Sequence, residues 1–260
     1  MKELHDFNSS VNLLFTDIDD TMTDHGQLGP EAYQTLWDLK SHGVEVVPIT
    51  GRPAGWCEMI ARMWPVAGVV GENGGFYFRY RNKEMIRYFS QDEGTRKANQ
   101  LKLEKIKAQV LAEIPKAGIA SDQFCRVIDL AIDFCEDVEP LSKRDVHRIK
   151  EIFEENGAQA KISSIHVNGW FGEHDKLSMC RQFIEREWDA NIDEIQSQIA
   201  FVGDSPNDEP MFEFFENSFA VANIDQFVSD LKSLPKFRIS QPGGKGFSEL
   251  GRKLIELKQS

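Results

Sequence analysis

The chain has 260 residues, of which 41% are hydrophobic and 28% charged, and its formal net charge at pH 7 is −12. This is an ordinary globular composition, so we exclude a disordered or fibrous protein. No run of apolar residues reaches the roughly 18 that a transmembrane helix needs. The N-terminus lacks the apolar segment of a signal peptide, and the four cysteines form no CxxC pair, so we expect a cytoplasmic protein. The acidic balance also disfavours binding to nucleic acid or to an anionic membrane.

Short apolar runs alternate with helical periodicities in the first and last parts of the chain. In chain order, the sequence predicts the following elements: strand 11–16, helix 30–43, strand 44–49, helix 54–64, strand 68–70, a helix from Lys176, strand 198–202 and a helix after Gly246. Strands that are apolar throughout are typical of a sheet buried on both faces. Their alternation with helices predicts βαβ units and a parallel sheet, so the fold class is α/β with a Rossmann-like core.

The middle of the chain follows a different pattern. Along 128–134, apolar residues alternate with Asp129, Ala131 and Asp133, which predicts a half-exposed strand of an antiparallel sheet. Helical patterns flank this strand on both sides. We therefore expect a second, inserted α+β domain over 83–168, between core segments 1–82 and 169–260.

Polar groups follow the predicted core strands where each strand ends. They are Asp17 and Asp19 after the first strand, Thr50 after the second, Lys176 at a helix start, and Asp204, Asn207 and Asp208 after the last. The carboxyl ends of parallel strands meet at one edge of the sheet, so these groups can gather there. Paired acids at such an edge favour a Mg²⁺ site. Taken singly, each group also fits a turn, a helix cap or a solvated side chain.

The order of these motifs resembles the haloacid dehalogenase (HAD) superfamily. Asp17, Asp19 and Thr21 match its DxDxT motif, Thr50 and Lys176 match its second and third motifs, and 203–208 match GDxxND. The long interval between Thr50 and Lys176 leaves room for a cap after the third strand. The chain therefore resembles the C2-capped, type IIB branch, with a cap of subtype C2B. The segment 72–75, ENGG, is similar to the ENGA segment of that branch.

The resemblance implies a catalytic role for each motif residue. Asp17 would attack phosphorus and form an aspartyl-phosphate. Asp19 would protonate the leaving alcohol and then activate the water that cleaves the intermediate. Thr50 and Lys176 would hold the phosphoryl oxygens.

The resemblance also implies a magnesium cofactor. Mg²⁺ would be held by the Asp17 side chain, the Asp19 backbone carbonyl and Asp204. Asn207 and Asp208 would support the metal-bound waters and Lys176 from behind.

Substrate selection is expected to come from the cap and its margins. Candidate substrate-binding residues are Arg52, Asn73, Ser164, His166 and Asn168, and either Arg126 or Lys161 could bind a second anionic group. Ordinary packing or solvation explains most of these residues equally well.

Three functions remain open from the sequence. The favoured one is a Mg²⁺-dependent phosphomonoesterase for a small phosphorylated metabolite, chiefly a sugar phosphate. A phosphomannomutase-like phosphosugar mutase is the second, although the cap shows no dense cluster of basic residues for a bisphosphate. The third is a non-catalytic binding or regulatory protein, which the presence of Asp17, Asp19 and Lys176 disfavours. The sequence leaves open whether the chain is a monomer or a homodimer.

Overall fold

The protein consists of a core built on a large sheet and an insert built on a smaller one. The computed structural model describes residues 1–163 and 165–259. Its strands over these residues are β1 (Lys2–Glu3), β2 (Leu13–Asp17), β3 (Thr23–Asp24), β4 (Gln27–Leu28), β5 (Glu45–Ile49), β6 (Val69–Gly71), β7 (Phe76–Arg81), β8 (Glu84–Phe89), β9 (Gly118–Ile119), β10 (Leu130–Asp133), β11 (Gln159–Ile162), β12 (His166–Trp170), β13 (Ile199–Gly203), β14 (Ser218–Ala220) and β15 (Phe237–Arg238).

The α-helices lie between these strands. Over the same residues they are α1 (Pro30–Ser41), α2 (Ala54–Met63), α3 (Glu93–Glu113), α4 (Lys143–Glu155), α5 (Lys176–Glu187), α6 (Glu209–Phe214) and α7 (Gly243–Gln259). Among the residues described, no helix combines the length and the apolar character needed to cross a lipid bilayer.

The described part of the chain forms a nine-stranded large sheet in the order β1-β15-β14-β13-β2-β5-β6-β7-β8. Neighbours from β1 to β6 pair in parallel, whereas β7 and β8 add an antiparallel hairpin at the edge. This arrangement confirms the predicted α/β class with a Rossmann-like core. β2 and β13 are adjacent, with Thr16 opposite Val202, so both strands end at the same edge.

Alternate residues of β2 supply the two hydrophobic layers of the core. Leu14 packs into the layer that contains side chains of α1, α2 and α7. Leu13 and Phe15 pack into the opposite layer, with side chains of α5 and α6. Each face of the strand is therefore buried, which explains why its sequence is apolar throughout.

The smaller sheet and two helices form the insert, which we call the cap. Its antiparallel strands run in the order β11-β12-β10-β9. Helices α3 and α4 pack on one face of this sheet, where Ile106, Ile149 and Ile132 are buried together. The inserted α+β cap agrees with the predicted fold class.

The change from one sheet to the other lies a few residues from the predicted domain boundaries. β8 stays paired with β7 on the large sheet as far as Phe89, so the boundary at 82/83 falls in the turn of that hairpin. β12 continues the cap sheet to Trp170, past the boundary predicted at 168. The sequence of β8 suggested the start of the cap because an edge strand carries charged residues, as a cap strand does.

The prediction of a half-exposed strand in the cap is wrong. Asp129, Ala131 and Asp133 are each at most 3% exposed. Their face of the cap sheet lies towards the core. There Asp129 accepts hydrogen bonds from Arg126, and Asp133 accepts them from the backbone N–H groups of the next loop. The alternation of acids therefore marks a buried, hydrogen-bonded face rather than one in water.

Candidate active site

The ends of two strands and the start of one helix bring the acids and the lysine together. Asp17 is the last residue of β2, and Asp204 directly follows β13. Since these strands are adjacent and parallel, both carboxylates lie at the carboxyl edge of the sheet. Lys176 is the first residue of α5, which the side chain of Asp175 caps. Asp208 ends a short 3-10 turn after β13.

Direct hydrogen bonds join these groups into one buried cluster. Lys176 Nζ lies 2.6 Å from Asp17 Oδ1 and 2.9 Å from Asp208 Oδ1. The second oxygen of Asp208 accepts the backbone N–H of Asp204 at 3.2 Å. Thr21 donates to Asp204 Oδ1 at 3.1 Å, which gives the threonine of the first motif a defined position.

Burial and mutual charge control the protonation of the cluster. Burial raises the pKa of Asp17 to about 7, although the charge of Lys176 opposes this shift. Burial also raises the pKa of Asp204 well above its ordinary range. Burial alone would lower the pKa of Lys176, but the charges of Asp17 and Asp208 raise it, so the amine stays protonated. The carboxylates therefore outnumber the single ammonium that touches them.

The chemistry of this cluster fits a divalent cation. Asp17, Asp204 and Asp208 each offer one carboxylate oxygen, and these atoms lie within 4.8 Å of one another. Lys176 supplies one positive charge to these three carboxyl groups, and Mg²⁺ is bound by oxygen ligands of this kind. The sequence analysis assigned Asp208 a supporting role, and its carboxylate accepts hydrogen bonds from Lys176 and from the Asp204 N–H.

The side chain of Asp19 points to an arginine. Arg52 approaches both oxygens of Asp19, with Nη2 2.9 Å from Oδ1 and Nε 3.2 Å from each. The other side of the same guanidinium lies 3.4 Å from Glu136 of the cap. Its carbon also lies 4.8 Å from the ring centroid of Trp56. Arg52 therefore bridges the predicted acid–base residue and the cap.

Thr50 and Asn73 build the floor of the site beside Arg52. The Thr50 hydroxyl is buried and accepts the backbone N–H of Arg52 at 3.0 Å. Asn73 donates its backbone N–H to the Thr50 carbonyl, and its amide lies against Gly51. Contact of Thr50 with a phosphoryl oxygen remains a prediction.

A cleft of about 500 Å³ separates this floor from the cap. His166 and Asn168 line it from β12. Asn168 donates to Asp129 at 2.9 Å, and His166 Nε2 lies 2.9 Å from Glu136. Burial lowers the pKa of His166, so the imidazole is neutral at pH 7. Ser164, the third cap candidate from the sequence, lies outside the described residues.

Asn207 also lines the cleft, beside Ser205 and not beside the lysine. Its side-chain oxygen accepts the Ser205 hydroxyl at 2.8 Å. Of the two residues predicted to support the lysine, Asp208 therefore makes an ion pair with it, whereas Asn207 is hydrogen-bonded to Ser205.

Sequence reasoning missed Glu136 and undervalued Arg126. Glu136 sits in a loop after β10, where an acid in the sequence gives no sign of a buried arginine partner. The side chain of Arg126 is 1% exposed and is held by Asp122 and Asp129 at 3.0 Å each. The i,i+4 and i,i+3 spacing of these acids was the available signal, but the same spacing is common on solvated surfaces.

Comparison with known proteins shows which family the first part of the chain resembles. The family profile described as haloacid dehalogenase-like hydrolase matches residues 14–119, a segment that contains Asp17, Asp19 and Thr50. A search of the curated proteins gave no significant match.

Solved structures resemble the whole chain. A protein from Thermoplasma acidophilum matches with a TM-score of 0.73 and 19% identity, over 95% of this chain and 99% of that one. A haloacid dehalogenase-like hydrolase from Bacteroides thetaiotaomicron matches with a TM-score of 0.69 and 14% identity, over 94% of this chain and 100% of that one. A trehalose-6-phosphate phosphatase related protein matches with a TM-score of 0.62 and 16% identity, over 95% and 97% of the two chains. Residues 14–119 therefore resemble the haloacid dehalogenase-like hydrolases in sequence, and the chain shares the fold of these solved structures.

Proposed function

We propose that the protein is a Mg²⁺-dependent phosphomonoester hydrolase that acts on a small phosphorylated metabolite, in particular a sugar phosphate. The observation that carries this proposal is the buried cluster of Asp17, Lys176 and Asp208 at the carboxyl edge of the sheet, directly under the cap cleft. A buried carboxylate held by an ammonium is a suitable nucleophile for an electrophilic phosphorus.

Asp17 is the proposed nucleophile. A new bond forms between a carboxylate oxygen of Asp17 and phosphorus, while the bond from phosphorus to the substrate oxygen breaks. Lys176 fixes Oδ1 of Asp17 at 2.6 Å and brings positive charge to the place where the phosphoryl oxygens would lie. Water then attacks the phosphorus of the aspartyl-phosphate, which releases inorganic phosphate and restores Asp17.

Asp19 is the proposed proton donor and acceptor. In the first step its proton passes to the leaving oxygen of the substrate, and in the second it takes a proton from the attacking water. In the present arrangement its carboxylate is paired with Arg52. We infer that Arg52 orients Asp19 and shifts toward the anionic phosphoryl group when substrate binds.

Asp17, the Asp19 backbone carbonyl and Asp204 are the residues proposed to hold Mg²⁺. When bound, the ion supplies positive charge that offsets the charge on the phosphoryl group and on the nucleophile. Asp208 would keep Lys176 and the Asp204 backbone in place through the two hydrogen bonds it makes to them.

The cap cleft suits a hydroxylated leaving group better than a second phosphate. Asn73 and Asn168 present amides, and His166 presents a neutral imidazole. Arg126 is already paired with two acids, so it offers little free positive charge to a second anion. This supports a sugar phosphatase of the C2-capped, type IIB branch over a mutase that must bind a bisphosphate. The likeness to a protein described as related to trehalose-6-phosphate phosphatase points in the same direction.

The test is phosphate release from a panel of hexose phosphates, disaccharide phosphates, glycosyl phosphoglycerates and hexose bisphosphates. Each substrate is measured with Mg²⁺ or EDTA, and with the wild type beside Asp17→Asn. We expect Mg²⁺-dependent release that disappears in the variant. Silence of the wild type across the panel, or undiminished activity of Asp17→Asn, would overturn the proposal.

A further inference from the structure

Glu72 is a buried carboxylate in a left-handed turn that the proposed reaction does not use. It is 0% exposed and follows β6 with a φ of +43°. The next two residues, Asn73 and Gly74, have φ values of +56° and +100°. A non-glycine residue in this region costs on the order of 1 kcal/mol or more, so other contacts must hold the turn.

Those contacts are hydrogen bonds from four backbone N–H groups to one side chain. Ala54, at the start of α2, donates to Oε1 of Glu72 at 2.9 Å. From the cap, Val127 donates to both oxygens at 3.0 and 3.1 Å, Ile128 to Oε2 at 2.6 Å and Asp129 to Oε2 at 3.1 Å. A single carboxylate therefore binds a core helix and three consecutive amides of the cap.

A carboxylate is the group best suited to this position. It has two oxygens with about four acceptor sites and no donor, so it can satisfy all four N–H groups. Each buried N–H left without a partner costs about 1–3 kcal/mol. Burial and the charge of Asp129 raise the pKa of Glu72 to about 8, although Arg126 and the donated N–H groups oppose this shift. The four backbone partners of Glu72 are all N–H donors, so the hydrogen-bond geometry fits the ionised carboxylate.

The cap segment that Glu72 holds, 127–129, adjoins two side chains that line the cleft, Arg126 and Asn168. Arg126 directly precedes it, and its Nη1 donates to the carbonyl of Gly51 on the floor of the site at 2.9 Å. Asp129 ends the segment and holds both Arg126 and Asn168. A displacement of 127–129 would therefore move two groups that line the cleft.

The same turn also contacts the start of the helix that carries the catalytic lysine. A Cβ atom on Gly74 would lie 2.0 Å from the carbonyl oxygen of Asp175, the residue before Lys176. The turn therefore packs against the start of α5 on one side and is bonded to the cap on the other. Its position sets the position of the cap relative to the floor of the site.

We propose that Glu72 is a positioning residue that docks the cap onto the core. It would thereby set the distance of Arg126 and Asn168 from Asp17 across the cleft. This inference rests on the proposed function for its kinetic consequence, but its structural part does not. Turnover of substrates large enough to contact the cap should require this docking. Turnover of a substrate too small to contact the cap should not require it.

Glu72→Gln is the informative variant. It keeps the volume of the side chain but replaces one acceptor oxygen by an NH₂ group that faces N–H donors. Glu72→Asp keeps the charge on a shorter side chain and should recover part of the effect. Glu84→Gln, at the exposed first position of β8, is the matched control.

The first readout is hydrogen exchange of the full-length protein. We expect the amides of Val127, Ile128 and Asp129 to exchange about tenfold faster or more in Glu72→Gln, with protection of β2 and β13 unchanged. Unchanged exchange at all three amides in a folded variant would overturn the docking role.

The second readout compares two substrates with Mg²⁺ present, the fastest hexose phosphate of the panel and acetyl phosphate. In Glu72→Gln, kcat/KM for the hexose phosphate should fall about tenfold or more, whereas the value for acetyl phosphate should change less than about twofold. A parallel loss with both substrates would show that Glu72 only supports folding, and it would overturn positioning. If the wild type hydrolyses neither substrate, the proposed function fails, while hydrogen exchange still decides the docking claim.

Discussion

Replacement of Lys176 by methionine should destabilise the metal-free protein strongly. Lys176 is 4% exposed and touches Asp17 and Asp208, both buried. Loss of its charge leaves these carboxylates, with Asp204 nearby, in a site that has lost its ammonium. Removal of one partner from a buried ion pair costs about 3–5 kcal/mol. For a chain of this size that corresponds to a decrease in Tm of about 6–10 °C.

The assay is thermal unfolding at pH 8 in EDTA and then in millimolar Mg²⁺. Mg²⁺ should raise the Tm of Lys176→Met more than that of the wild type, because a cation replaces the missing positive charge beside the acids. At pH 5 the loss in EDTA should shrink, since burial raises the pKa of Asp17 and protonation removes the uncompensated charge. Lys105→Met, on an exposed face of α3, is the control and should change stability by less than about 0.5 kcal/mol.

Two results would refute this reasoning. One is a Tm of Lys176→Met in EDTA within about 1 °C of the wild type, when several kcal/mol are expected. The other is an equal shift with Mg²⁺ in both proteins, which would mean that the ion does not bind near the acids that Lys176 contacts.

Two further predictions concern residues next to the cluster. His174 is buried against the ring of Trp170, and burial lowers its pKa to about 4. Below pH 6.5 the His174 side chain therefore takes up a proton in the unfolded chain but not in the folded protein, so the free energy of unfolding should fall by about 2 kcal/mol between pH 7 and pH 5. Denaturant titrations of His174→Phe should lack this decrease with pH. The same decrease in the variant and in the wild type would contradict the prediction. Gly74→Ala should lower Tm by several degrees more than Gly157→Ala. Both glycines have positive φ, but of the two only Gly74 would place the new Cβ against backbone, 2.0 Å from the Asp175 oxygen. Equal decreases in Tm in thermal unfolding scans would contradict the packing of this turn.

The central strands of the large sheet, β2, β5, β6 and β13, were predictable because their apolar sequences carry their own signal. β2 and β13 are apolar throughout, and burial on both faces requires that composition whatever surrounds them. The order of the polar groups at the strand ends then followed from the geometry of parallel strands. The edge strands were harder to predict from the sequence. The solvent-exposed positions of β8 carry charged residues, so β8 resembled part of the cap.

The cap face was not predictable in the same way. Asp129 and Asp133 alternate with apolar residues as on a solvated strand, and only the tertiary structure shows that Arg126 and loop amides cover them. Glu136 and Glu72 likewise have partners far away in the sequence, so no local spacing announces them. The structure brings Asp17, Lys176, Asp204 and Asp208 together; their catalytic and metal-binding roles are proposals for experiment.

The most direct test of the central claim is to trap the phosphorylated aspartate. Asp19→Asn is mixed with acetyl phosphate and Mg²⁺, quenched in acid and analysed by intact-mass and peptide mass spectrometry. Acetyl phosphate needs no proton on its leaving group, so only the second step, cleavage by water, should be slow in this variant. We predict one phosphoryl group on the peptide that contains Asp17, and none when Asp17→Asn is added to the same chain. Turnover of acetyl phosphate by the wild type without any phosphoryl group on that peptide in Asp19→Asn would contradict Asp17 as the nucleophile.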